Sequence, residues 1–462
     1  MVLTAANLSP IVPNPYLTSP TFLKPRIQMP PRPTATDQRL RRAEEHFQKG
    51  KKLYLEGGSV DARVEFDAAI DLLLATPEDA EDRFKAEARL DHYVTAIYKL
   101  DVNGLGAGDF SQQVAYDKAP LEDILEMTFP VAPGLKPVVK EQLLATSSQI
   151  PLELTDPVLS YINYFSTDRG RRTLVSGLQR SGRYKPMIQR ILAEEGVPQE
   201  LIYLAQAESG FLPRAVSNKA AVGMWQFIRS RGQEYGLMQT AYSDDRLDPE
   251  KATRSAARHL RDLYNKFGDW YLAIAAYNCG DGCVERAVTR TGYADFWYLR
   301  SHNAIPKETT NYVPIIVAMT IMHKNAKAYG IENITGDSPL LYESMEFDTP
   351  THLALIADAS DRPVSEIKDL NPALLTSVAP AHYPVRVPTG TRTMILAGLE
   401  PIPDDRRASW RIHRVVEGDT IESIAKRYRT PMTRITSTNS AVEAEVGDVL
   451  VIPRQRSSSE YR

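Results

Sequence analysis

One glutamate is a candidate general acid. Leu201, Leu204, Ala205 and Glu208 are spaced i, i+3, i+4 and i+7, which places them on one face of a helix, and Gly210 predicts that the helix ends there. Partial desolvation and the negative end of the helix dipole both disfavour an ionised carboxylate, so we expect the pKa of Glu208 to be raised. A carboxyl group that keeps its proton near neutral pH suits general-acid catalysis. An ordinary exposed glutamate at a frayed helix end would give the same pattern.

Four short motifs start at this glutamate and follow one another in order. They are Glu208-Ser209 with Pro213 and Ser217 downstream, Gly223-Met224-Trp225-Gln226, Ala276-Tyr277-Asn278, and Glu308-Thr309 with Tyr312-Val313. Any one of them would be a weak signal, but four in order are specific. Together they resemble the soluble-lytic-transglycosylase family, which has a goose-lysozyme-like fold, and the resemblance covers roughly residues 150–335.

The resemblance implies a reaction and a set of site residues. The reaction is cleavage of the β-1,4 bond between N-acetylmuramic acid and N-acetylglucosamine in peptidoglycan. Glu208 would protonate the leaving oxygen and then take the proton of the muramic-acid C6 hydroxyl, which closes a 1,6-anhydro ring without water. The residues implied in binding or shaping the saccharide site are Ser217, Met224, Gln226, Tyr277, Asn278, Glu308 and Tyr312. No cofactor and no metal are expected.

Other interpretations of these residues stay open. A hydrolase usually needs a second carboxylate, and Asp244, Asp245 and Asp248 are nearby in sequence. We expect the first two to be turn residues and Asp248 to cap the helix that begins at Pro249. Tyrosines are more often packed in a core than in contact with a ligand, Ser217 could be a plain turn serine, and Glu308 could simply favour a helix N-terminus.

The composition excludes some classes of function. With 55 Lys+Arg against 58 Asp+Glu, the chain lacks the basic footprint that nucleic-acid binding usually requires. Its two cysteines, Cys279 and Cys283, rule out a disulfide framework; they form either a short-range disulfide or free thiols. The first ten residues predict no signal peptide. The longest apolar stretch, around Val313–Met322, is too short for a membrane span and predicts a buried helix.

The N-terminal part divides into a tether and a helical region. Eight prolines within residues 1–36 predict a disordered tether, and 37–135 reads as a helical region whose last part, 101–135, is a Gly- and Pro-interrupted connector. Its predicted helices run from Ala43 to Tyr54, Asp61 to Leu74 and Phe84 to Leu100. In the catalytic region we expect helices at 157–165, 169–181, 185–195, 249–267, 270–277 and 310–329.

The C-terminal third contains an internal repeat with an offset of 68 residues. Ile356-Ala357 aligns with Ile424-Ala425, Pro363 with Pro431, and Asn371 with Asn439. Each unit predicts strand–helix–helix–strand. The second unit, 411–454, resembles a LysM domain, whose members bind N-acetylglucosamine-containing glycans. The first unit, 345–403, lacks the Gly-Asp-Thr turn, so we interpret it as degenerate and structural.

The sequence therefore predicts a mainly α protein, with a lysozyme-like catalytic domain, a helical N-terminal region and small α+β LysM modules at the C-terminus. The expected partner is the peptidoglycan glycan strand, in the periplasm or cell envelope; protein partners are unknown. Two alternatives remain, a hydrolytic muramidase on the same fold and a non-catalytic LysM protein that binds cell wall.

Overall fold

The structure, a computed structural model, describes residues 34–56, 59–77, scattered positions between 80 and 96, and then 117–119, 124–125, 127–217, 221–240, 242–440 and 443–453. The predicted tether, most of the helix expected at 84–100 and most of the connector lie outside the described residues. The described part is mainly α-helical with small sheets, antiparallel near the C-terminus, which confirms the predicted fold class. The boundaries of the five predicted regions stay predictions.

The N-terminal region contains two paired helices, α1 (Ala35–Leu55) and α2 (Ser59–Leu74). Helix α1 begins with a capping box in which Thr34 and Asp37 bond to each other's backbone N–H groups. Phe47 and Phe66 are buried between the two helices. Both helices were predicted; each starts earlier than expected.

The central region is built from ten helices of the described chain. They are α3 (Leu135–Leu144), α4 (Asp156–Ser166), α5 (Asp168–Glu194), α6 (Ile202–Ser209), α7 (Arg229–Glu234), α8 (Pro249–Phe267), α9 (Trp270–Cys279), α10 (Asp281–Thr291), α11 (Phe296–Ser301) and α12 (Lys307–Lys324). Short strands β1 (Asp117–Lys118) and β2 (Ala215–Val216) pair in parallel.

Helix α12 is the centre of this region. It is buried from Thr309 to Met322, as expected of a helix that is apolar on every side. Helices α4, α6 and α9 pack against it. The apolar stretch Val313–Met322 is thus a buried core helix, as predicted. Helices α6, α9 and α12, each of which carries one of the motifs, are therefore in contact with one another through α12.

Helix α5 differs from the sequence-based prediction. Two helices were expected, at 169–181 and 185–195, but one continuous helix of 27 residues is formed, with Pro186 inside it. Two glycines of this helix lie where neighbouring segments pack closely. A Cβ at Gly177 would lie 2.9 Å from the amide of Gln206, and one at Gly182 would lie 2.5 Å from the carbonyl oxygen of Asp337. They admit close packing, and the break between two helices was wrong.

The C-terminal third forms two similar units, as predicted. In the first, β3 (Tyr342–Met345) pairs antiparallel with β6 (Val385–Pro388) around α13 (Leu353–Ser360) and α14 (Val364–Leu370). A second strand pair, β4 (Thr351–His352) with β5 (Val378–Ala379), and a later helix, α15 (Arg392–Leu399), complete it. In the second, β7 (Arg411–Arg414) pairs antiparallel with β8 (Val449–Ile452) around α16 (Ile421–Tyr428) and α17 (Met432–Asn439).

The repeated asparagines play the same part in both units. The amide of Asn371 donates to the carbonyls of Ile367 and Arg386 and accepts from the N–H of Arg386. Asn439 makes the same three bonds to Ile435 and Val451. Each asparagine ties the second helix of its unit to the last strand, which explains why it recurs at the offset of 68 residues.

Candidate active site

Glu208 lies in the last turn of α6, where the sequence placed it. Leu201, Leu204 and Ala205 are completely buried, and Gly210 ends the helix with φ +59°. The side chain of Glu208 is only half-buried. The helix thus anchors its apolar face in the core and leaves the carboxylate at the edge of that core.

Tyr312 of α12 holds this carboxylate. Its hydroxyl donates a hydrogen bond to Oε1 of Glu208. Burial, together with the charge of Glu208, raises the pKa of Tyr312 well above its usual value, so this hydroxyl stays protonated and remains a donor. The ring is 1% exposed. A direct sugar contact of the ring, one of the roles that the family resemblance allows, would require Tyr312 to leave the core, whereas its hydroxyl is directed at the candidate acid.

The loop 223–226 lies behind the same helix end. Ser209 Oγ donates to the carbonyl of Met224 at 2.8 Å, and the Tyr277 hydroxyl donates to the carbonyl of Trp225 at 2.8 Å. Burial, with the nearby charge of Glu208, raises the pKa of Tyr277 well above its usual value. The second and third motifs are therefore joined to the first by backbone carbonyls of the loop.

Two residues of this loop are core residues. Met224 is 1% exposed and Trp225 is fully buried, with its indole N–H bonded to Thr253 Oγ1 at 2.8 Å. The predicted substrate contact of Met224 would need its side chain to leave the core. In this conformation Met224 serves through its main-chain carbonyl.

The side-chain amide nitrogen of Gln226 is hydrogen-bonded to backbone carbonyls of the protein. Gln226 has a positive φ of 50°, and its Nε2 donates to the carbonyls of Ala215 and Gly223 at 3.1 and 2.7 Å. Among the residues that the structure describes, its Oε1 has no hydrogen-bond partner. A buried amide oxygen without a partner is uncommon, so Oε1 is the atom of Gln226 with acceptor capacity to spare.

The end of α9 is fastened to the start of α12. Asn278 Nδ2 donates to Glu308 Oε1 at 3.3 Å, and Thr309 Oγ1 donates to Asn278 Oδ1 at 2.6 Å. Cys279 and Cys283 form a disulfide across the break between α9 and α10, which resolves the alternative left open by the sequence. The third and fourth motifs thus form one polar junction.

The residues considered as a second acid all have structural partners. Asp244 pairs with Arg246 at 2.7 Å, and Asp245 pairs with Lys251 at 2.7 Å. Asp248 accepts from the N–H groups of Glu250 and Lys251, which confirms the predicted helix cap. Ser217 accepts from the N–H of Ala221 at 3.2 Å. Substrate contacts of the predicted site residues stay predictions.

Comparison with known proteins identifies two regions of the chain. Residues 185–299 match the family described as "Transglycosylase SLT domain", and residues 413–453 match "LysM domain". The chain carries an SLT domain and a LysM domain. The SLT match spans Glu208, the 223–226 loop and Tyr277-Asn278.

The relatives of this chain include several proteins named as transglycosylases. Membrane-bound lytic murein transglycosylase D of Escherichia coli (strain K12) is 34% identical over 251 residues, covering 51% of this chain and 55% of that protein. Peptidoglycan transglycosylase gp16 of Escherichia phage T7 is 39% identical over 102 residues, covering 21% of this chain and 8% of that protein. The chain thus spans about half the length of the first of these relatives.

A solved structure of lytic transglycosylase Slt from Pseudomonas aeruginosa covers 65% of this chain and 54% of that chain, at 17% identity and a TM-score of 0.29. Among the described residues, no helix has the length and apolar character needed to cross a membrane.

The structure adds two residues to the SLT site that the sequence-based prediction left without a role. Ser209 bonds the end of α6 to the loop, and Arg180 of α5 donates from Nε to the carbonyl of Gly210 at 2.6 Å. A cation suits the carbonyl end of a helix. Ser209 could have been found, since it adjoins Glu208. Arg180 gave no signal, because it lies about thirty residues away in sequence and only the packing of α5 on α6 brings it close.

Proposed function

We propose that this protein is a peptidoglycan lytic transglycosylase with Glu208 as its single catalytic acid and base. The observation that carries the proposal is the bond from the Tyr312 hydroxyl to Glu208, which joins the first and fourth motifs at one half-buried carboxylate. The match of 185–299 to the SLT family supports it independently. The relatives named as murein and peptidoglycan transglycosylases support the choice of substrate.

The proposed reaction uses one carboxyl group twice. Protonated Glu208 gives its proton to the glycosidic oxygen that leaves from C1 of N-acetylmuramic acid, and the C1–O bond breaks. Glu208, now a carboxylate, takes the proton of the C6 hydroxyl as its oxygen attacks C1. The products are a chain with a free N-acetylglucosamine hydroxyl and a 1,6-anhydromuramic end. A group that alternates between acid and base works best when its pKa is near the working pH.

The neighbours of Glu208 would control this alternation. The Tyr312 hydroxyl favours the ionised form of the carboxylate by donating to it, whereas partial burial and the end of α6 favour the protonated form. The pairing of Asp244 and Asp245 with cations leaves these two carboxylates occupied. This supports a mechanism with one carboxyl group rather than hydrolysis with two.

We propose that the LysM domain binds glycan strands and keeps the enzyme on the cell wall. This proposal rests on the match of residues 413–453. We propose accordingly that the protein acts in the cell envelope, and within it in the periplasm.

The test is digestion of purified sacculi followed by mass analysis of the products. The parent protein should release fragments with 1,6-anhydro ends; reducing ends would instead indicate a muramidase. Glu208→Gln should lower the rate by at least about a hundredfold, in line with the contribution of acid–base groups. Glu332→Gln, at an exposed position of the same region, is the matched control. A Glu208→Gln protein as active as its parent would overturn the proposal.

A further inference from the structure

The first LysM-like unit, which was predicted at 345–403 and whose first strand β3 begins at Tyr342, is docked on the SLT domain at the turn 242–248. The N–H of Asp244 donates to the carbonyl of Ala373 at 2.9 Å, and the N–H of Leu375 donates to the carbonyl of Tyr242 at 2.8 Å. Together these bonds make a short antiparallel bridge between the turn and the loop that follows α14. The unit thus continues the backbone hydrogen bonding of the SLT domain.

Charged side chains reinforce this docking. The guanidinium of Arg386 bonds to both carboxylate oxygens of Asp248, at 2.8 and 2.9 Å, and it stacks over the ring of Tyr342. The Tyr342 hydroxyl donates to Glu250 Oε2 at 2.7 Å. Arg386 and Asp248 are mostly shielded from water, with 15% and 7% of their side chains exposed. Charge-assisted bidentate bonds are among the stronger and more directional contacts in proteins.

The turn held in this way is in contact with the active-site loop. Arg246 pairs with Asp244 and donates from its other guanidinium nitrogen to the carbonyl of Phe227 at 3.2 Å. The carbonyl oxygen of Arg246 lies so close to Gly223 that a Cβ there would be 2.0 Å away. The loop is therefore pressed against the turn without room for a side chain.

The loop in turn supports the candidate acid. Its carbonyls at Met224 and Trp225 accept from Ser209 and Tyr277, and Ser209 is the neighbour of Glu208. A continuous series of contacts thus leads from the first LysM-like unit through the turn and the loop to the end of α6.

The second unit differs from the first in the turn that precedes its first helix. In its turn, Asp419 accepts from the N–H of Val416, from His413 and from Arg427. With the offset of 68, the first unit has Thr351 in place of this aspartate. It keeps the Asn371 network that holds its own fold.

We propose that the first LysM-like unit is a positioning element of the active site, with Arg386 and Arg246 as positioning residues for the 223–226 loop. Arg386 touches neither Glu208 nor the loop; it acts by holding the turn that carries Arg246. The proposal deepens the proposed function, on which its kinetic test rests. It assigns the first unit to catalysis rather than to glycan binding.

The experiment compares two arginines that link this unit to its two neighbours, in the protein of 462 residues. Arg386 links the unit to the SLT domain, and Arg411 links it to the second unit through an equally bidentate pair with Asp358, at 2.5 and 2.7 Å. Arg386→Gln and Arg411→Gln each remove one such pair, so a purely structural loss should be similar in both. Arg386→Lys keeps the charge and should restore part of the function.

Two measurements separate positioning from stability. The first is kcat and KM on short soluble peptidoglycan glycan strands, at a temperature where all variants are folded. A misplacement of reacting groups by about 1 Å can lower the rate about a hundredfold. We expect Arg386→Gln to displace the loop by less than this and to lower kcat by about tenfold. Arg411→Gln should keep the parent kcat. The second is hydrogen exchange, which should become faster in peptides covering 223–227 for Arg386→Gln alone.

The outcomes are distinct. The positioning role is refuted if Arg386→Gln keeps the parent kcat and the parent exchange rate at 223–227. It is also refuted if Arg411→Gln lowers kcat and speeds exchange at 223–227 as much as Arg386→Gln does. If the parent protein forms no anhydro product, the proposed function fails, while the exchange measurement still decides whether the first unit holds the loop.

Discussion

At the scale of single residues, the candidate site depends on the partial burial of the Glu208 carboxylate. Its helix is anchored by completely buried residues, yet the carboxylate itself is half-buried and meets the hydroxyl of Tyr312. Tyr312 is fixed in the most buried helix of the region. An acid held by a donor on a rigid helix keeps one position through both halves of a two-step reaction, which is what proximity and orientation require.

Tyr312→Phe should test this bond directly. The hydroxyl donates to the ionised form of Glu208, and a hydrogen bond to a charged group is worth about 1.5–3 kcal/mol. Losing it should lower kcat by about tenfold and move the pH limb that reports Glu208 upward, because the ionised carboxylate loses a donor. The measurement is the pH dependence of kcat/KM.

Tyr161→Phe is the matched control for this change. Tyr161 is equally buried, and its hydroxyl donates to the carbonyl of Met127 rather than to Glu208. It should cost stability and leave the pH profile in place. A Tyr312→Phe profile identical to that of the parent would show that the bond does not tune the acid.

At the scale of elements, the 223–226 loop is the least ordinary part of the site. It needs a positive φ of 87° at Gly223 and of 50° at Gln226, and it presses its backbone against Arg246. Positive φ at a residue with a side chain is costly and is kept where the surroundings enforce it. The loop is therefore shaped by its contacts with its neighbours.

Gly223→Ala should be far more damaging than the same change at Gly236. Both glycines have positive φ, 87° and 82°, but only at Gly223 would the new Cβ meet a backbone atom, at 2.0 Å. Gly236→Ala should cost about 1–2 kcal/mol of unfolding free energy, the strain of the left-handed conformation. Gly223→Ala should cost at least about 2 kcal/mol more and abolish activity. Equal losses in urea unfolding would contradict the close contact with Arg246.

Helix α8 contains a histidine that makes stability depend on pH. His259 is 4% exposed, and its Nδ1 lies 3.1 Å from the hydroxyl of Tyr235. Burial, together with the charge of Arg231, lowers the pKa of His259 to about 3. The unfolded chain takes up a proton near the ordinary value of 6.5, whereas the folded protein does so only near 3. Stability from this group is therefore present above about pH 6.5 and is lost as the pH falls toward 3.

His259→Gln should reduce this acid sensitivity. One such histidine contributes a slope of up to about 1.4 kcal/mol per pH unit within that window. Urea unfolding at about pH 6.5, 5.5 and 4.5 measures the slope for parent and variant. Slopes that agree within error would mean that His259 takes up its proton in the folded protein as readily as in the unfolded one.

At the scale of the whole molecule, two copies of one small fold have separate surroundings. The core of the first unit includes Ile412 and Val451 from the strands of the second, so the units are packed on each other. The first also contacts the SLT domain through Arg386 and the 371–375 loop. A unit that is in contact with a neighbour on two sides is suited to a supporting role.

Asp419→Ala should separate wall binding from chemistry. Asp419 organises the turn that opens the LysM domain, and its pKa is lowered chiefly by the N–H of Val416 and then by His413. Without it, retention on insoluble sacculi in a sedimentation assay should fall, while kcat on short soluble strands should stay at the parent value. Thr351→Ala, at the equivalent position of the first unit, should keep full retention. Unchanged retention for Asp419→Ala would contradict the proposal that the LysM domain binds the cell wall through this turn.

Local patterns in the sequence determined much of this protein. The apolar spacing and Gly210 predicted the helix end that carries Glu208, and Asp248-Pro249 predicted the start of α8. The 68-residue offset predicted both C-terminal units. These features depend on helix periodicity, caps and repeats, which act over a few residues or copy a whole unit, so they can be recognised along the chain.

Only the tertiary structure decided which residues meet. Two helices were predicted where α5 is continuous, and Asp337 packs so closely on Gly182 of this helix that a Cβ would lie 2.5 Å from its carbonyl oxygen. Tyr312 reaches Glu208 across 104 positions of sequence, and Arg386 reaches Asp248 across 138. Such pairs depend on how whole helices pack, and packing is the sum of many distant contacts that no local pattern records. The sequence by itself therefore determined where the candidate acid Glu208 lies, and the packing determined which residues hold it there.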